Sequence, residues 1–407
     1  KEVSSTLSCL LPFYSFGKSH LLDIPSSALL AHRMDESISY FSPYFAHYEN
    51  HSVVVCGKSG SGKSVLTNLL TRALLNDPQV QITKVDVGGS HSKETKRLGG
   101  IQYKLNLNEP SGINPFGALR ENPHCEDIHQ ILANFVSTLI LEEQETSLSK
   151  QLKSQVEESI AAYAKATPQD PCLADYFESL SRQFPRRSLL KRWAQGVYSK
   201  AFSSKSDHVG SSRLSYYNFS EIFQAGDVDF GQGGFSAIMA QFNLDLLSNT
   251  SKKLVFIADE TPFFIQKCFS FFKFSTANVR KFGGSFITIS QKSSDLVVSG
   301  DTGILDNCAV KFLFSIDGKK DDFQQRLGLS DKDLESLESL QSVPRVLSEC
   351  LRKSAQESQV ERLRLTAKEY WNLTSSFEDN EKLQRLLMEV PHLSEKEAIE
   401  CLCLGSQ

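Results

Sequence analysis

The spacing of apolar residues predicts a parallel α/β sheet that begins near residue 50. Val53-Val54-Val55-Cys56 is a short β-branched run that ends in a glycine-rich turn, and Val65 to Leu75 follows with helical spacing. Another apolar run covers Ile82 to Val87. Strand, helix and strand in this order are the beginning of a βαβ unit with helices on the faces of a parallel sheet.

The apolar spacing changes to that of long amphipathic helices between about residues 121 and 205, as in Ile128, Ile131 and Phe135. Strand patterns return at Leu214–Phe219, Leu254–Ala258, Phe286–Ser290 and Val310–Ser315. We therefore expect five parts. These are lead-in strands and loops over 1–50, a first part of the core over 51–120, an all-α insertion over 121–205, a second part of the core over 206–330, and a helical C-terminal region over 331–407.

Composition and net charge limit the class of protein but do not indicate a binding partner. The chain has 407 residues and a net charge of −4, so no basic surface indicates nucleic acid, and nucleic-acid contact is possible but unsupported. The nine cysteines contain no CxxC pair, which is typical of reduced thiols. The most apolar stretch, Ile131 to Leu141, contains polar residues and is too short for a membrane span. Because the chain begins with Lys1, we expect a piece of a longer protein that lacks an N-terminal domain.

A phosphate-binding pattern, GxxxxGK[ST], lies between the first predicted strand and helix. Its residues are Gly57, Lys58, Ser59, Gly60, Ser61, Gly62, Lys63 and Ser64. Glycines let backbone N–H groups surround phosphates at the positive end of the helix. Lys63 is expected to reach the terminal phosphates, and Ser64 to ligate Mg²⁺. The pattern predicts binding of ATP with Mg²⁺, and a glycine-rich surface loop is the alternative.

Two acidic residues follow the predicted strand from Leu254 to Ala258, in the manner of a Walker B motif. Asp259 is expected to hold the Mg²⁺ shell, and Glu260 to orient and deprotonate the attacking water. Adjacent acids also occur in ordinary turns. Their combination with the phosphate-binding loop favours the catalytic interpretation.

Gln291 follows the predicted strand from Phe286 to Ser290. Its amide can accept a hydrogen bond from the nucleophilic water and donate one to the γ-phosphate. We interpret Gln291 as a sensor of the bound nucleotide, with an ordinary loop residue as the alternative.

Arg280 and Lys281 end the helix predicted after the acidic pair. Basic residues at this position suit the helix dipole without any catalytic role. In a ring of subunits the same position also suits an arginine finger that enters the neighbour's site. Both interpretations remain open.

The helix that carries Arg280 is predicted to begin at Thr261-Pro262 and contains six phenylalanines. They belong to the core or to an interface with another subunit. His91 and His124 have no companions in the sequence and are interpreted as loop residues.

With these motifs placed, the sequence resembles the TraC-like, or VirB-four, family of type IV secretion and conjugative transfer ATPases. The segments that carry the resemblance are Leu10-Leu11-Pro12-Phe13, Asn50-His51, Val85-Asp86, Ile113-Asn114-Pro115-Phe116, Val197-Tyr198-Ser199-Lys200-Ala201-Phe202, Asp259-Glu260, Arg280-Lys281-Phe282-Gly283, Ser290-Gln291 and Glu369-Tyr370-Trp371-Asn372-Leu373-Thr374-Ser375. One departure is Thr261-Pro262-Phe263, where the family usually has alanine and tryptophan after Walker B.

The resemblance implies a RecA-like P-loop core with an all-α insertion, in a hexamer that docks with other secretion-system subunits at the cytoplasmic face of the bacterial inner membrane. It implies an ATP-driven motor that powers assembly of a secretion channel or pilus and substrate transfer. The alternative is a DNA-pumping translocase of the HerA, FtsK or coupling-protein kind, which shares the core but normally offers basic pore loops. A nucleotide-binding scaffold with little turnover is a third possibility, against which Glu260 argues.

Overall fold

A computed structural model describes residues 27–203, 212–248, 251–315, 320–343, 345–374 and 376–404. Its strands are β1 (Leu29–Arg33), β2 (Ile38–Phe41), β3 (Ser52–Cys56), β4 (Val80–Asp86), β5 (Ile101–Lys104), β6 (Leu214–Asn218), β7 (Lys253–Ala258), β8 (Ser285–Ser290), β9 (Cys308–Leu313), β10 (Ser342–Val343), β11 (Leu347–Ser354) and β12 (Ser358–Arg364).

The α-helices are α1 (Lys63–Leu75), α2 (Ser92–Arg97), α3 (Glu126–Leu139), α4 (Lys150–Lys165), α5 (Leu173–Ser179), α6 (Arg187–Ala194), α7 (Ser220–Ala225), α8 (Val228–Ser248), α9 (Pro262–Asn278), α10 (Gly303–Asp306), α11 (Lys320–Leu327), α12 (Asp331–Ser339), α13 (Ala367–Leu373), α14 (Phe377–Glu389) and α15 (Glu395–Leu404). Short 3₁₀ helices cover Pro115–Arg120, Val279–Phe282 and Ser293–Leu296.

The described strands form one mixed sheet in the order β2-β1-β12-β11-β9-β3-β8-β7-β4-β6-β5, with β10 paired to β11. All pairs from β9 to β5 are parallel, whereas those from β2 to β9 are antiparallel. The predicted α/β fold with a mainly parallel sheet is confirmed. Strand β8 lies between β3 and β7, so the ends of these three strands meet at one edge of the sheet.

Both faces of the central parallel strands β3, β7 and β8 are buried. Val53 and Val55 of β3 belong to a core shared with α1, while Val54 belongs to a larger core on the other face. Helices α8 and α9 pack on that second face, where Phe235 stacks on Phe264 with ring centroids 4.3 Å apart. Strands that are buried on both faces appear in the sequence as continuous apolar runs, which is why these strands could be predicted.

Helices α3 to α6 occupy the region of the predicted insertion, and its described part contains no strand. Helix α3 packs against α8, and the residues of all four helices share the core of that face. Of the segments named above, residues 1–26 of the lead-in, with Leu10-Leu11-Pro12-Phe13, and residues 204–211 lie outside the described residues.

The C-terminal region is not helical throughout. Helices α12 to α15 lie within 331–404, but β10, β11 and β12 occur between them and join the sheet. The prediction of a helical C-terminal region therefore missed the strands within residues 342–364. Charged residues in β11 and β12 hid the strand pattern, because their charges are buried in ion pairs such as that of Arg352 with Glu361.

Candidate active site

The loop after β3 encloses a cavity at the carboxyl edge of the parallel strands. Gly62 has a φ of +107°, and a Cβ there would lie 2.4 Å from Ser348 Oγ. A Cβ on Gly57 would lie 2.5 Å from Phe314 Cβ. Helix α1 begins at Lys63, so its first-turn N–H groups have no intrahelical partner and are available to an anion. These two positions therefore require glycine, and the loop presents its backbone to the cavity.

Lys63 lies inside this loop and is 8 % exposed. Its ammonium donates to the carbonyl oxygens of Gly57 and Lys58 at 2.7 and 2.9 Å. Burial lowers the pKa of Lys63, against the opposing effect of Asp259 and Glu260. The lysine charge is thus held within the electrostatic reach of both acids.

The two acids lie in a tight turn at the end of β7. Glu260 has a φ of +53°, a backbone conformation that residues other than glycine rarely adopt. Its N–H donates to Asp259 Oδ1 at 2.9 Å. The buried hydroxyl of Thr261 donates to the carbonyl oxygen of Ile289 at 2.8 Å and lies 3.2 Å from that of Ala258. These bonds join the ends of β7 and β8 and hold a strained backbone, which is a common feature of functional sites.

The environments of the acids move their pKa values in opposite directions. The pKa of Asp259 lies below its usual range, because the hydrogen bond and charge of His91 outweigh the effect of burial. Burial and the neighbouring Asp259 carboxylate raise the pKa of Glu260, against a hydrogen bond from Gln291. Such a separation is typical of an ion-binding carboxylate beside a proton acceptor.

Gln291 lies beside Glu260, as the strand order requires. Its Nε2 donates to Glu260 Oε1 at 3.1 Å. The structure therefore brings together Lys63, Asp259, Glu260 and Gln291, which all line the same cavity with Ser64.

Arg280 is not part of this group. It lies in the 3₁₀ turn after α9, is exposed, and donates to the backbone carbonyl of Glu49, just before β3 begins. This position is at the amino ends of the strands, whereas the phosphate-binding loop is at their carboxyl ends. Arg280 and the cavity of its own chain are therefore on opposite edges of the sheet.

His91 lies in the loop after β4, as interpreted from the sequence, but its contact with the site was missed. It is fully buried, and its Nε2 lies 3.0 Å from Asp259 Oδ2. The loop that carries it is closed by Asp86, which accepts from the N–H groups of Gly88 at 2.8 Å and Ser90 at 2.6 Å. The contact forms because β4 and β7 are neighbours in the sheet. The spacing of residues in the sequence does not show which strands are neighbours.

The C-terminal region forms the other wall of the cavity, whose volume is about 490 Å³. Ser348 of β11 donates to the carbonyl oxygen of Ser61 at 2.5 Å. Further residues of this wall are Ser342, Val343, Arg345, Val346, Leu347, Leu363, Leu365, Tyr370, Leu373, Thr374 and Ser376. The volume is in the usual range for a small-molecule site.

The donor set suits Mg²⁺ rather than a metal held by protein alone. The described residues contain no group of three or more His, Cys, Asp or Glu side chains able to hold a metal. One hydroxyl and one carboxylate, from Ser64 and Asp259, match the habit of Mg²⁺ to keep water and substrate phosphates as its other ligands. Separately, no helix within the described ranges is long and apolar enough to cross a bilayer.

The phosphate-binding loop, the acidic strand end and the intervening strand with Gln291 define a P-loop NTPase fold. The family model described as the TraG P-loop domain matches residues 38–206 and 237–404. The chain belongs to this family.

Two relatives agree with that assignment. The chain is 24 % identical over 379 residues to the type IV secretion system protein virB4 of Bartonella henselae, with 89 % of this chain covered and 46 % of that protein, so it spans about half of that relative's length. The structure of VirB4 of Thermoanaerobacter pseudethanolicus matches with a TM-score of 0.66 and 19 % identity, over 85 % of this chain and 98 % of that chain. The resemblance to the VirB4 and TraC-like secretion ATPases is confirmed.

A more distant match is the plasmid coupling protein TrwB in complex with ADP and Mg²⁺. It has a TM-score of 0.45 and 16 % identity, over 76 % of this chain and 77 % of that chain.

Proposed function

We propose that the chain binds ATP with Mg²⁺ and hydrolyses it as the motor part of a type IV secretion or conjugation system. The observation that carries this proposal is the convergence of Lys63, Asp259, Glu260 and Gln291 on the cavity closed by the phosphate-binding loop. A scaffold that binds nucleotide without turnover has no need of a strained, partly buried glutamate beside the metal-binding acid.

Each group has a distinct role in this proposal. When nucleotide binds, the ammonium of Lys63 exchanges its hydrogen bonds to the carbonyl oxygens of Gly57 and Lys58 for contacts with the β- and γ-phosphates. Backbone N–H groups of residues 57–64 bind the remaining phosphate oxygens. Ser64 and Asp259 hold Mg²⁺, which when bound neutralises charge on the phosphates. These groups fix the nucleotide in the geometry that the reaction requires.

Glu260 is the general base. It accepts the proton of the attacking water, and its raised pKa brings its basicity closer to neutral pH. Gln291 holds the Glu260 carboxylate through Nε2 and orients the water. The strained turn at Glu260 keeps the carboxylate at the cavity without reorganisation during the reaction.

Membership of the TraG P-loop family and likeness to VirB4 support a motor that powers channel or pilus assembly and substrate transfer. In this proposal the full-length protein forms a homo-oligomer, most simply a hexamer, and docks on other secretion subunits at the cytoplasmic face of the bacterial inner membrane. ATP turnover with and without single-stranded DNA tests it. Turnover that does not respond to DNA supports the secretion motor, strong stimulation by DNA supports the translocase, and absence of turnover in the assembled protein contradicts both.

Arg280 is proposed to act on the site of a neighbouring subunit. Its place at the edge of the sheet opposite its own cavity supports action on a neighbour rather than within the chain. Arg280→Ala is expected to lower turnover of the assembled protein by about 10³-fold or more, as for other arginine fingers. Lys281→Ala, which removes the adjacent exposed charge, is the matched control and is expected to keep turnover.

Mixed assemblies distinguish action in trans from a structural effect. Arg280→Ala subunits keep Glu260, and Glu260→Gln subunits keep Arg280, so a mixture of two inactive variants regains part of the turnover at mixed interfaces. A mixture as inactive as its components, or full turnover of Arg280→Ala alone, would show that Arg280 is not an arginine finger.

A further inference from the structure

A line of buried polar side chains lies behind Asp259. Lys84 of β4 donates through Nζ to Asn68 Oδ1 of α1 at 3.0 Å. The same oxygen lies 2.8 Å from Nδ1 of His91, whose Nε2 lies 3.0 Å from Asp259 Oδ2. Lys84, Asn68 and His91 are each at most 1 % exposed. The contacts therefore connect the middle of β4 with one oxygen of the acid at the end of β7.

Such a line is costly in the interior of a sheet. Burial of amine, amide and imidazole groups loses hydration that apolar side chains of the same size do not lose. Asn68 Nδ2 has no hydrogen-bond partner among the described residues, so the arrangement does not satisfy every group in it. Stability alone does not explain three polar side chains here. What the three side chains have in common is that they hold the His91 ring in one orientation, Asn68 directly and Lys84 through Asn68.

The geometry around His91 fixes which nitrogen faces the acid. Oδ2 of Asp259 is an acceptor, so Nε2–H of His91 is the donor in their contact. The other ring nitrogen, Nδ1, lies 2.8 Å from Asn68 Oδ1, and that oxygen also accepts from Lys84. The Asp86 turn sets the backbone position of His91. The ring is thus fixed from both sides.

Both carboxylate oxygens of Asp259 are consequently held by the protein. Oδ2 accepts from His91 and Oδ1 accepts from the N–H of Glu260, and each oxygen keeps a further acceptor position for a ligand. A histidine that orients a metal-binding carboxylate is a usual outer-sphere device in metal sites.

We propose that His91 is a positioning residue for Asp259, and that Asn68 and Lys84 fix the His91 ring so that the carboxylate is preset for the Mg²⁺ of a bound nucleotide. This inference rests on the proposed function, since it concerns the same site. It assigns His91 no contact with substrate and no proton transfer.

Three substitutions of His91 separate the Asp259 contact from packing. Gln places an N–H donor near the position of Nε2, Asn places one near Nδ1 only, and Phe keeps the ring but has no donor. We expect His91→Gln to behave as wild type. In His91→Asn and His91→Phe, the gain in nucleotide affinity that Mg²⁺ provides should be about 10- to 100-fold smaller, which is the usual effect of such outer-sphere changes. His124→Phe, at an exposed histidine, is the matched control.

The measurement is the dissociation constant of a fluorescent ATP analogue in EDTA and in excess Mg²⁺, with a thermal melt of each variant to verify folding. Affinity in EDTA should be the same for all variants, which a general structural defect would not allow. If His91→Phe does not fold, the comparison of Gln with Asn, two related amides, decides the matter.

An unchanged gain from Mg²⁺ in His91→Asn and His91→Phe overturns the inference, and so does a loss in His91→Gln as large as that in His91→Phe. Absence of any gain from Mg²⁺ in the wild-type chain contradicts the proposed function instead. The two failures are therefore distinguishable.

Discussion

The parallel and antiparallel parts of the sheet differ in how they are stabilised and in what they contribute to the cavity. In the parallel part, from β9 to β5, the central strands β3, β7 and β8 are buried on both faces and carry the reacting groups at their ends. In the antiparallel part, β11 and β12 bury charged residues in ion pairs and supply a wall over the phosphate-binding loop. The chemistry is thus concentrated in one part, and the other part encloses it.

This difference separates two kinds of failure. Changes at the ends of the parallel strands should remove activity and leave the fold intact, because those side chains lie beyond the apolar core. Changes to the buried charges of β11 and β12 should first cost stability, because they remove an ion-pair partner from a charge inside the protein.

Lys63→Ala should have the largest effect on activity. Among the described residues that line the cavity, Lys63 is the one whose positive charge lies inside the phosphate-binding loop. ATP turnover should therefore fall to background, and nucleotide affinity should weaken. Lys153→Ala, at an exposed lysine of the insertion, serves as the control. Phosphate release and binding of a fluorescent nucleotide measure both effects, and wild-type turnover in Lys63→Ala would contradict the assignment of the loop.

Glu361→Leu should have the largest effect on stability. Glu361 is fully buried and accepts from Arg352 at 2.5 Å and from Ser39 at 2.9 Å. Removing one partner of a buried ion pair typically costs about 3–5 kcal/mol, whereas replacing both partners costs much less. Urea unfolding should therefore show a large loss for Glu361→Leu and a partial recovery when Arg352→Met is added.

The control for that experiment is Glu381→Leu, which breaks the exposed pair with Arg385 and should change the unfolding midpoint little. A Glu361→Leu protein as stable as wild type would show that the antiparallel part does not depend on its buried charges.

The same comparison explains which parts of the fold the sequence could predict. Strands such as β3 and β7 were predicted because parallel strands buried on both faces are continuous apolar runs. Strands β11 and β12 were missed because Glu349, Arg352, Glu361 and Arg362 resemble a solvated surface until their partners are known. Pairing across strands supplies that information, and no local window of sequence contains it.

The candidate site divides in a similar way. Lys63, Asp259, Glu260 and Gln291 were proposed from motifs, since each follows a recognisable strand. His91 was missed, because its role depends on the order of strands in the sheet. The wall that includes Ser348 was missed for the same reason.

The central claim is that the two adjacent acids divide the work of the site, Asp259 for the metal and Glu260 for the water. Their opposite pKa shifts and different partners, His91 for one and Gln291 for the other, motivate it. Glu260→Gln keeps the shape but cannot accept a proton, whereas Asp259→Asn weakens the hold on Mg²⁺.

Nucleotide affinity in Mg²⁺ and the turnover rate, measured together for Glu260→Gln and Asp259→Asn, test this claim most directly. Glu260→Gln should bind Mg-ATP as wild type does and turn over about 10²- to 10⁴-fold more slowly, the usual contribution of a positioned base. Asp259→Asn should lose affinity and turnover together. Weakened binding with a preserved rate in Glu260→Gln would contradict the division of roles.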